Sequence, residues 1–223
     1  MLFNKDGIAF PDYQNVNANL YRSSNFHDIK QWEFCKSKIK KFRTCLDFGG
    51  HVGITAKKFS TYFDNVFSFE PIPELFECLK YNTKDSNIKI YNYAISDTND
   101  FIDIFVNPEN TGSNVIESTE TSRLIDTRWR NEKRQNFVQT KPIQVKTKTI
   151  DSFGFTDVDF IKIDTEGFNL KPLIGMKNTL KNNSPVIMME RGETENLGKE
   201  FLTKIGYKLI QVIGIDEIYM REK

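Results

Sequence analysis

From residue 29 onward the chain alternates between two hydrophobic rhythms. In "IKQWEFCKSKIKKF", Ile29, Trp32, Cys35, Ile39 and Phe42 recur at helical spacing with lysines among them, which predicts an amphipathic helix. "TCLDF" reads as a strand, and Val52, Ala56, Phe59 and Phe63 form the apolar face of the next helix. The pattern repeats with the strand "NVFSFE" and a helix marked by Ile72, Leu75, Phe76 and Leu79. "IKIYNYAI" and "FIDIFV" are further strands. "DFIKID" is another, with Leu170, Leu173 and Ile174 marking the helix behind it. "PVIMME" is a strand, a short helix falls near 195–205, and "YKLIQVI" and "EIYMRE" are the last strands. Strands alternating with helices predict a parallel sheet covered on both faces. The last two strands are separated only by residues around Gly214, so they read as an antiparallel hairpin. The predicted fold class is therefore α/β, Rossmann-like and doubly wound, mostly parallel with an antiparallel C-terminal hairpin.

Two stretches lie outside this rhythm. Residues 1–28 read as an irregular lead-in, and with the basic helix they make an N-terminal portion, 1–42, ahead of a main domain over 43–223. Residues 107–141 are polar and charged with no clear element, and read as an excursion over the sheet's edge. Connections of that length are commonly functional. A basic amphipathic helix can lie on a membrane surface; a scaffold helix packed on the sheet is the simpler reading.

Composition excludes several classes. The 223 residues suffice for one domain with a full core, and 39% hydrophobic residues, with 19 Phe, argue against disorder. The formal charge of +1 gives no overall field that favours nucleic acid or acidic membranes. The distribution is uneven. Asp97, Asp100, Asp103, Glu109, Glu117 and Glu120 precede a basic stretch with Arg123, Arg128, Arg130, Lys133 and Arg134. "TRWRNEKR", with Trp129, suits an anionic acceptor, acidic glycans ahead of nucleic acid; a solvated charged face is the alternative reading. Cys35, Cys45 and Cys78 form no CxxC pair, and His27 and His51 are the only histidines. That argues against a zinc site or a disulfide framework and for a reducing, cytoplasmic setting. No apolar run has the length of a signal peptide or a membrane span.

The candidate chemistry begins at "TCLDFGGHVGIT". Asp47 ends a strand, and Gly49, Gly50 and Gly53 follow, a costly run of flexible backbone that lets a neighbour approach closely. In a parallel sheet, ligands sit beyond the carboxyl ends of the strands. A dinucleotide fingerprint needs glycines at i, i+2 and i+5. This stretch instead gives Asp-x-Gly-x-x-x-Gly. A carboxylate there repels a pyrophosphate but suits a cationic amino-acid ligand, which points to S-adenosylmethionine. The next strand ends in Glu70, placed to accept ribose hydroxyls.

"LDFGGHVGIT", "VFSFEPIPELFECLKYN", "YNYAISD" and "VDFIKIDTEGFNLKPLIGMKNTL…PVIMMER" resemble FkbM-type methyltransferases, a branch of the class I S-adenosylmethionine-dependent enzymes. The resemblance runs in order from about Cys45 to Arg191, and "IKIDTEG" is its most specific element. It implies a seven-stranded sheet with a reversed last strand, and O-methylation of hydroxyls on glycans or small metabolites. By position, Asp47, Gly49 and Gly53 would hold the methionine end and Glu70 the ribose. "AISD", with Ala94 and Asp97, would lie near the adenine; Gly50, Pro71 and Asp164 complete the cofactor set. His51 stands where the family often has a small or amide residue, and Pro172 falls just inside a helix, which only its first turn tolerates. Acceptor choice would lie in 1–42 and 107–141.

Methyl transfer to a hydroxyl requires alignment and removal of a proton. Asp164 closes the "DFIKI" strand, and alternation sends Lys162 to the same face. Asp164 is a candidate base or a group that orients the sulfonium. Glu166 is a candidate base or acceptor clamp, and either could instead cap the following helix. The two are also hard oxygen ligands for a divalent cation, which the sequence allows without implying. His51 is a third candidate base, or a partner for the cofactor carboxylate. Glu190, ending "PVIMME", either anchors the acceptor or pairs with Arg191. Rival readings are an RNA or protein methyltransferase using the 123–134 segment, and a nucleoside-binding module without chemistry.

Overall fold

The computed structural model describes residues 1–12, 26–84, 86–106, 115–116, 142–165, 168–191 and 195–221. In chain order the elements are β1 (Leu2–Phe3), β2 (Ala9–Phe10), α1 (Ile29–Lys38), β3 (Thr44–Phe48), α2 (Ile54–Ser60), β4 (Asn65–Phe69), α3 (Pro73–Thr83), β5 (Ile88–Tyr91) and β6 (Ala94–Ile95). They continue with β7 (Phe101–Phe105), β8 (Val115–Ile116), β9 (Ile143–Lys148), a 3-10 turn (Ile150–Phe153), β10 (Val158–Ile163), α4 (Leu170–Gly175), α5 (Lys177–Asn183), β11 (Val186–Glu190), α6 (Glu195–Lys204), β12 (Tyr207–Ile213) and β13 (Asp216–Arg221).

The central sheet has 7 strands in the order β12-β13-β11-β10-β3-β4-β5. β10, β11, β3, β4 and β5 pair in parallel, and β13 runs antiparallel to both β11 and β12. This is the predicted Rossmann-like, doubly wound arrangement with its reversed strand in the terminal hairpin.

Alternation along the strands supplies two cores. Cys45, Phe160 and Met188 face α1 and α2, where they meet Trp32, Cys35, Ala56 and Phe59. Leu46, Phe48, Ile161, Ile163 and Met189 face the other side, against Leu173, Met176, Leu180 and Leu202. Both faces of β3 and β10 are thus covered, which is why their sequences run almost continuously apolar. Asp47 and Lys162 interrupt the first face, and they are register neighbours across the β3–β10 pair.

α1 is a scaffold helix. Trp32 and Cys35 are fully buried, and the Trp32 ring meets Phe59 and Phe160 at 5.0 and 5.4 Å. α3 starts on Pro73, tolerated at a helix's first position, and buries Leu75, Cys78 and Leu79. Pro172 likewise falls in the first turn of α4, where no helical N–H bond is lost.

The structure departs from the sequence reading in three places. The lead-in contains the β1–β2 hairpin. It docks on α3 through Asn82, whose side chain exchanges hydrogen bonds with the Ala9 backbone at 2.8 and 2.9 Å. "IKIYNYAI" is two strands in different sheets: β5 edges the central sheet, and β6 joins a 4-stranded sheet of order β6-β9-β7-β8. Asn92 accounts for the break. Its side-chain amide donates to the backbone carbonyls of Glu70 and Pro71 at 2.8 and 3.0 Å, which turns the chain away. "FIDIFV" belongs to that smaller sheet, paired with β9, a strand the sequence reading did not assign. Apart from Val115–Ile116, the 107–141 stretch lies outside the described residues, as does its basic 123–134 part.

Candidate active site

The carboxyl ends of β3, β4, β10 and β11 carry the predicted acids. Asp47 is fully buried. Its Oδ2 accepts from Ser68 Oγ at 2.8 Å, whereas its buried Oδ1 has no hydrogen-bond partner. Burial pushes the carboxyl up to about 6, against the opposing pull of Lys162 and the Ser68 hydroxyl. A buried acceptor left open is costly unless a ligand donor fills it.

The glycine turn is shaped mainly by the protein's own atoms. Gly49 has φ +82°, and a β-carbon there would stand 1.9 Å from the backbone carbonyl oxygen of Asp164. Gly53, at φ +93°, leaves room for Leu79 of α3, which a β-carbon would meet at 2.8 Å. At Gly50 a β-carbon would collide with Ser68 Oγ. The glycines therefore let β10 and α3 close on the turn and keep both acids beside it. His51 is in the left-handed region, φ 49°. Desolvation lowers its imidazole to about 4, so the ring is neutral near neutrality and weakly basic.

Glu70 leaves β4 almost fully buried. Its carboxylate accepts from two backbone N–H groups, His51 and Ile72, both at 2.9 Å, and so ties the glycine turn to the start of α3. Burial raises the carboxyl to about 8 despite these bonds. Each oxygen keeps a lone pair for a further donor.

Gly49 and Glu70 border a pocket. It is lined by Phe48, Gly49, Phe69, Glu70, Pro71, Ile72, Tyr93, Ala94, Ile95, Ile104, Asp164, Thr165 and Phe168. Gly49, Glu70, Pro71, Ala94 and Asp164 of the predicted set meet there. Asp47, Gly50, His51 and Gly53 are not among its lining residues. Asp97 is not among the lining residues, and its carboxylate accepts from Ser96 Oγ at 3.0 Å.

Asp164 has 38% of its side chain exposed, so a ligand can reach it, and its carboxylate is in contact with the Lys162 ammonium. Burial alone would raise the Asp164 carboxyl. The Lys162 charge, a hydrogen bond from Glu190, the Lys162 contact and His51 together hold it below the usual carboxylate value. Glu190 thus pairs with Asp164. Arg191, offered as its salt-bridge partner, instead donates to the Gly214 carbonyl at 2.9 Å. Glu166 lies outside the described residues. Among the described residues, no group of three His, Cys, Asp or Glu is arranged to hold a metal ion.

The arrangement offers a sequestered acceptor at Asp47, a buried carboxylate at Glu70, an apolar slot, and an anionic Asp164 facing it. A family description, the methyltransferase FkbM domain, matches residues 47–209. The chain belongs to the FkbM methyltransferase family. The family is one of methyltransferases. Among solved structures, an FkbM methyltransferase from Methylobacillus flagellatus is similar at a TM-score of 0.50 and 15% identity, covering 80% of this chain. This chain spans only 43% of that protein. A precorrin-6y C5,15-methyltransferase from Geobacter metallireducens is similar at a TM-score of 0.50 and 12% identity, over 97% of this chain and 94% of its own. At such identities these likenesses speak for the fold. No protein of curated function matches the chain.

The sequence reading missed Tyr93, Ile95, Ile104 and Phe168 as pocket lining, because apolar side chains at strand ends carry no pattern that separates them from core. It also missed Asn169, whose buried amide donates to the Glu190 carbonyl at 2.6 Å and accepts from Thr165 Oγ1 at 2.8 Å. Ser68 had a usable signal, a polar residue inside the apolar strand "NVFSF".

Proposed function

We propose that this FkbM-family enzyme methylates a hydroxyl of a glycan or a small metabolite. The observation that carries the reading is the juxtaposition of Asp47 and Asp164 on either side of Gly49, with Glu70 one strand further along. The open Oδ1 of Asp47 suits the ammonium of the methionine moiety, with Gly49, Gly50, His51 and Gly53 forming the turn around it. Glu70 has lone pairs for both ribose hydroxyls. Pro71 and Ala94 flank the base, and Asp97 stands further along the same segment. S-adenosylmethionine supplies an electrophilic methyl group on a sulfonium. Asp164, held anionic, is suited to facing that positive charge and is a weak base for the same reason. The hydroxyl proton is therefore assigned to Glu166, because Glu190 already holds the proton it shares with Asp164 and the His51 imidazole, lowered to about 4, is weakly basic. The 107–141 segment, entered through β7 and its pocket residue Ile104, is assigned to acceptor choice. Free, buried Cys35, Cys45 and Cys78 support a reducing, cytoplasmic setting, and among the described residues no helix is long and apolar enough to cross a membrane.

Labelled S-adenosylmethionine, offered with panels of sugars, lipids, proteins and RNA, tests the reading. Label is expected on a sugar or metabolite hydroxyl. Label on RNA or protein instead would move the assignment to the 123–134 segment. Stabilisation by S-adenosylhomocysteine with no transfer to any panel would favour a binding module.

A further inference from the structure

Lys162 is 3% exposed and is the only buried cation among the described residues. It occupies the middle of the central sheet, in register with Asp47 on one side and Met188 on the other. A strand covered on both faces ordinarily takes an apolar residue there. An isolated ammonium at that depth is strongly unfavourable, so its partners define its purpose.

Those partners come from many elements. The ammonium touches the Asp164 carboxylate and lies 3.9 Å from Oδ2 of Asp28, the residue that opens α1. Asp47 of β3 also acts on it electrostatically. Glu190 of β11 pairs with Asp164, and Asp216 of β13 stands opposite Glu190 across the antiparallel pair. Among the described residues, Glu70, the imidazole of His51 and the Cys45 thiol are the further ionisable groups that act on this centre. Carboxylates crowded in this way oppose one another's ionisation. Without a cation among them, the one most open to ligand would take up a proton more readily.

We propose that Lys162 is the positioning residue of the methyl centre, holding the Asp164 carboxylate anionic and fixed at the end of β10 so that it meets the positive charge of the methyl donor. Through Asp28 the same ammonium seats the first turn of α1 beside that centre. The inference rests on the reading that puts Asp164 at the sulfonium. A sulfonium and a thioether differ by one charge at one atom, so the ratio of affinities for S-adenosylmethionine and S-adenosylhomocysteine isolates the charge of Asp164. Contacts to the ammonium and the ribose, including those of Asp47 and Glu70, cancel in that ratio.

Calorimetric titration of both ligands between pH 5 and 8 tests this in wild type, Lys162→Met and Asp164→Asn. Wild type should favour S-adenosylmethionine by a constant ratio across the range. In Lys162→Met the ratio should fall toward pH 5, on the order of tenfold per unit rise in the Asp164 carboxyl. Asp164→Asn should give a low ratio that does not change with pH. A flat, wild-type profile in Lys162→Met overturns the proposal. A wild-type ratio in Asp164→Asn overturns the reading beneath it. Should Lys162→Met fail to fold, carboxyl NMR on the wild-type protein decides, with Asp164→Asn used for assignment. Asp164 ionised throughout pH 5 to 8 is the expected result, and a titration inside that range overturns it.

Discussion

Gly49 and Asp164 touch through their backbones: a β-carbon on the glycine would lie 1.9 Å from the aspartate's carbonyl oxygen. Two strands of the parallel sheet, β3 and β10, therefore end in mutual contact, and each delivers a carboxylate to the same place. Gly49→Ala must both push Asp164 away and strain a left-handed residue, at a cost of about 1–3 kcal/mol or more. Chemical denaturation should show that loss, together with weaker S-adenosylhomocysteine binding. A variant within about 0.5 kcal/mol of wild type, with unchanged affinity, would contradict this contact.

Glu70→Ala should lose both cofactor affinity and stability. Removing the carboxylate strands the N–H groups of His51 and Ile72, and an unsatisfied buried donor costs about 1–3 kcal/mol. Calorimetry should register roughly tenfold weaker binding of S-adenosylhomocysteine, as for a lost buried hydrogen bond with its partner left unpaired. An unfolding midpoint equal to wild type would show that the turn is held by other contacts.

The cofactor-free enzyme should become less stable as pH rises from about 6.5 to 8. Burial raises the Asp47 carboxyl to about 6 and that of Glu70 to about 8. Their stabilising contribution is complete below the ordinary carboxylate range and is lost as pH climbs through those values. His51 acts in the opposite sense: lowered to about 4, it favours the fold above the usual imidazole value and loses that contribution as pH falls. At pH 6.5 only about 0.4 kcal/mol of its effect is still to come, less than the loss from Glu70. Urea unfolding at pH 6.5 and 8 measures the sign, and stability that rises across the interval would refute the environment described for Glu70.

Trp32→Ala should cost about 3–5 kcal/mol, as for other fully buried aromatic truncations. If α1 instead served a membrane surface, the substitution would leave the unfolding midpoint alone and abolish vesicle binding. Thermal unfolding with and without anionic vesicles separates the two.

What was legible in the sequence follows from how strongly each position is constrained. β3 and β10 are buried on both faces, so "TCLDF" and "DFIKID" stand out as apolar runs, and their polar exceptions mark the site. α1 is readable because Trp32 and Cys35 share one face. β9 was passed over although Ile143, Val145 and Thr147 alternate with Gln144, Lys146 and Lys148. It follows the long polar stretch and makes its pairs with β6 and β7, contacts that no local pattern announces. The glycines drew attention to a ligand, yet the nearest atoms to Gly49, Gly50 and Gly53 belong to Asp164, Ser68 and Leu79. Close approach was readable from composition, and the approaching partner was not.

The pocket's carboxylates and its apolar wall stand on different frames. Asp47, Glu70 and Asp164 end strands of the seven-stranded sheet, whereas Ala94, Ile95 and Ile104 ride on the smaller sheet from which the 107–141 stretch grows. The two frames meet at Asn92, which is fastened to the Glu70 and Pro71 carbonyls. A sideways drift of the smaller frame would widen or narrow the slot for a flat base while every carboxylate keeps its place. A change in the length of the stretch that joins β7 to β9 would therefore act on the slot's apolar wall and leave the three carboxylates on their own frame.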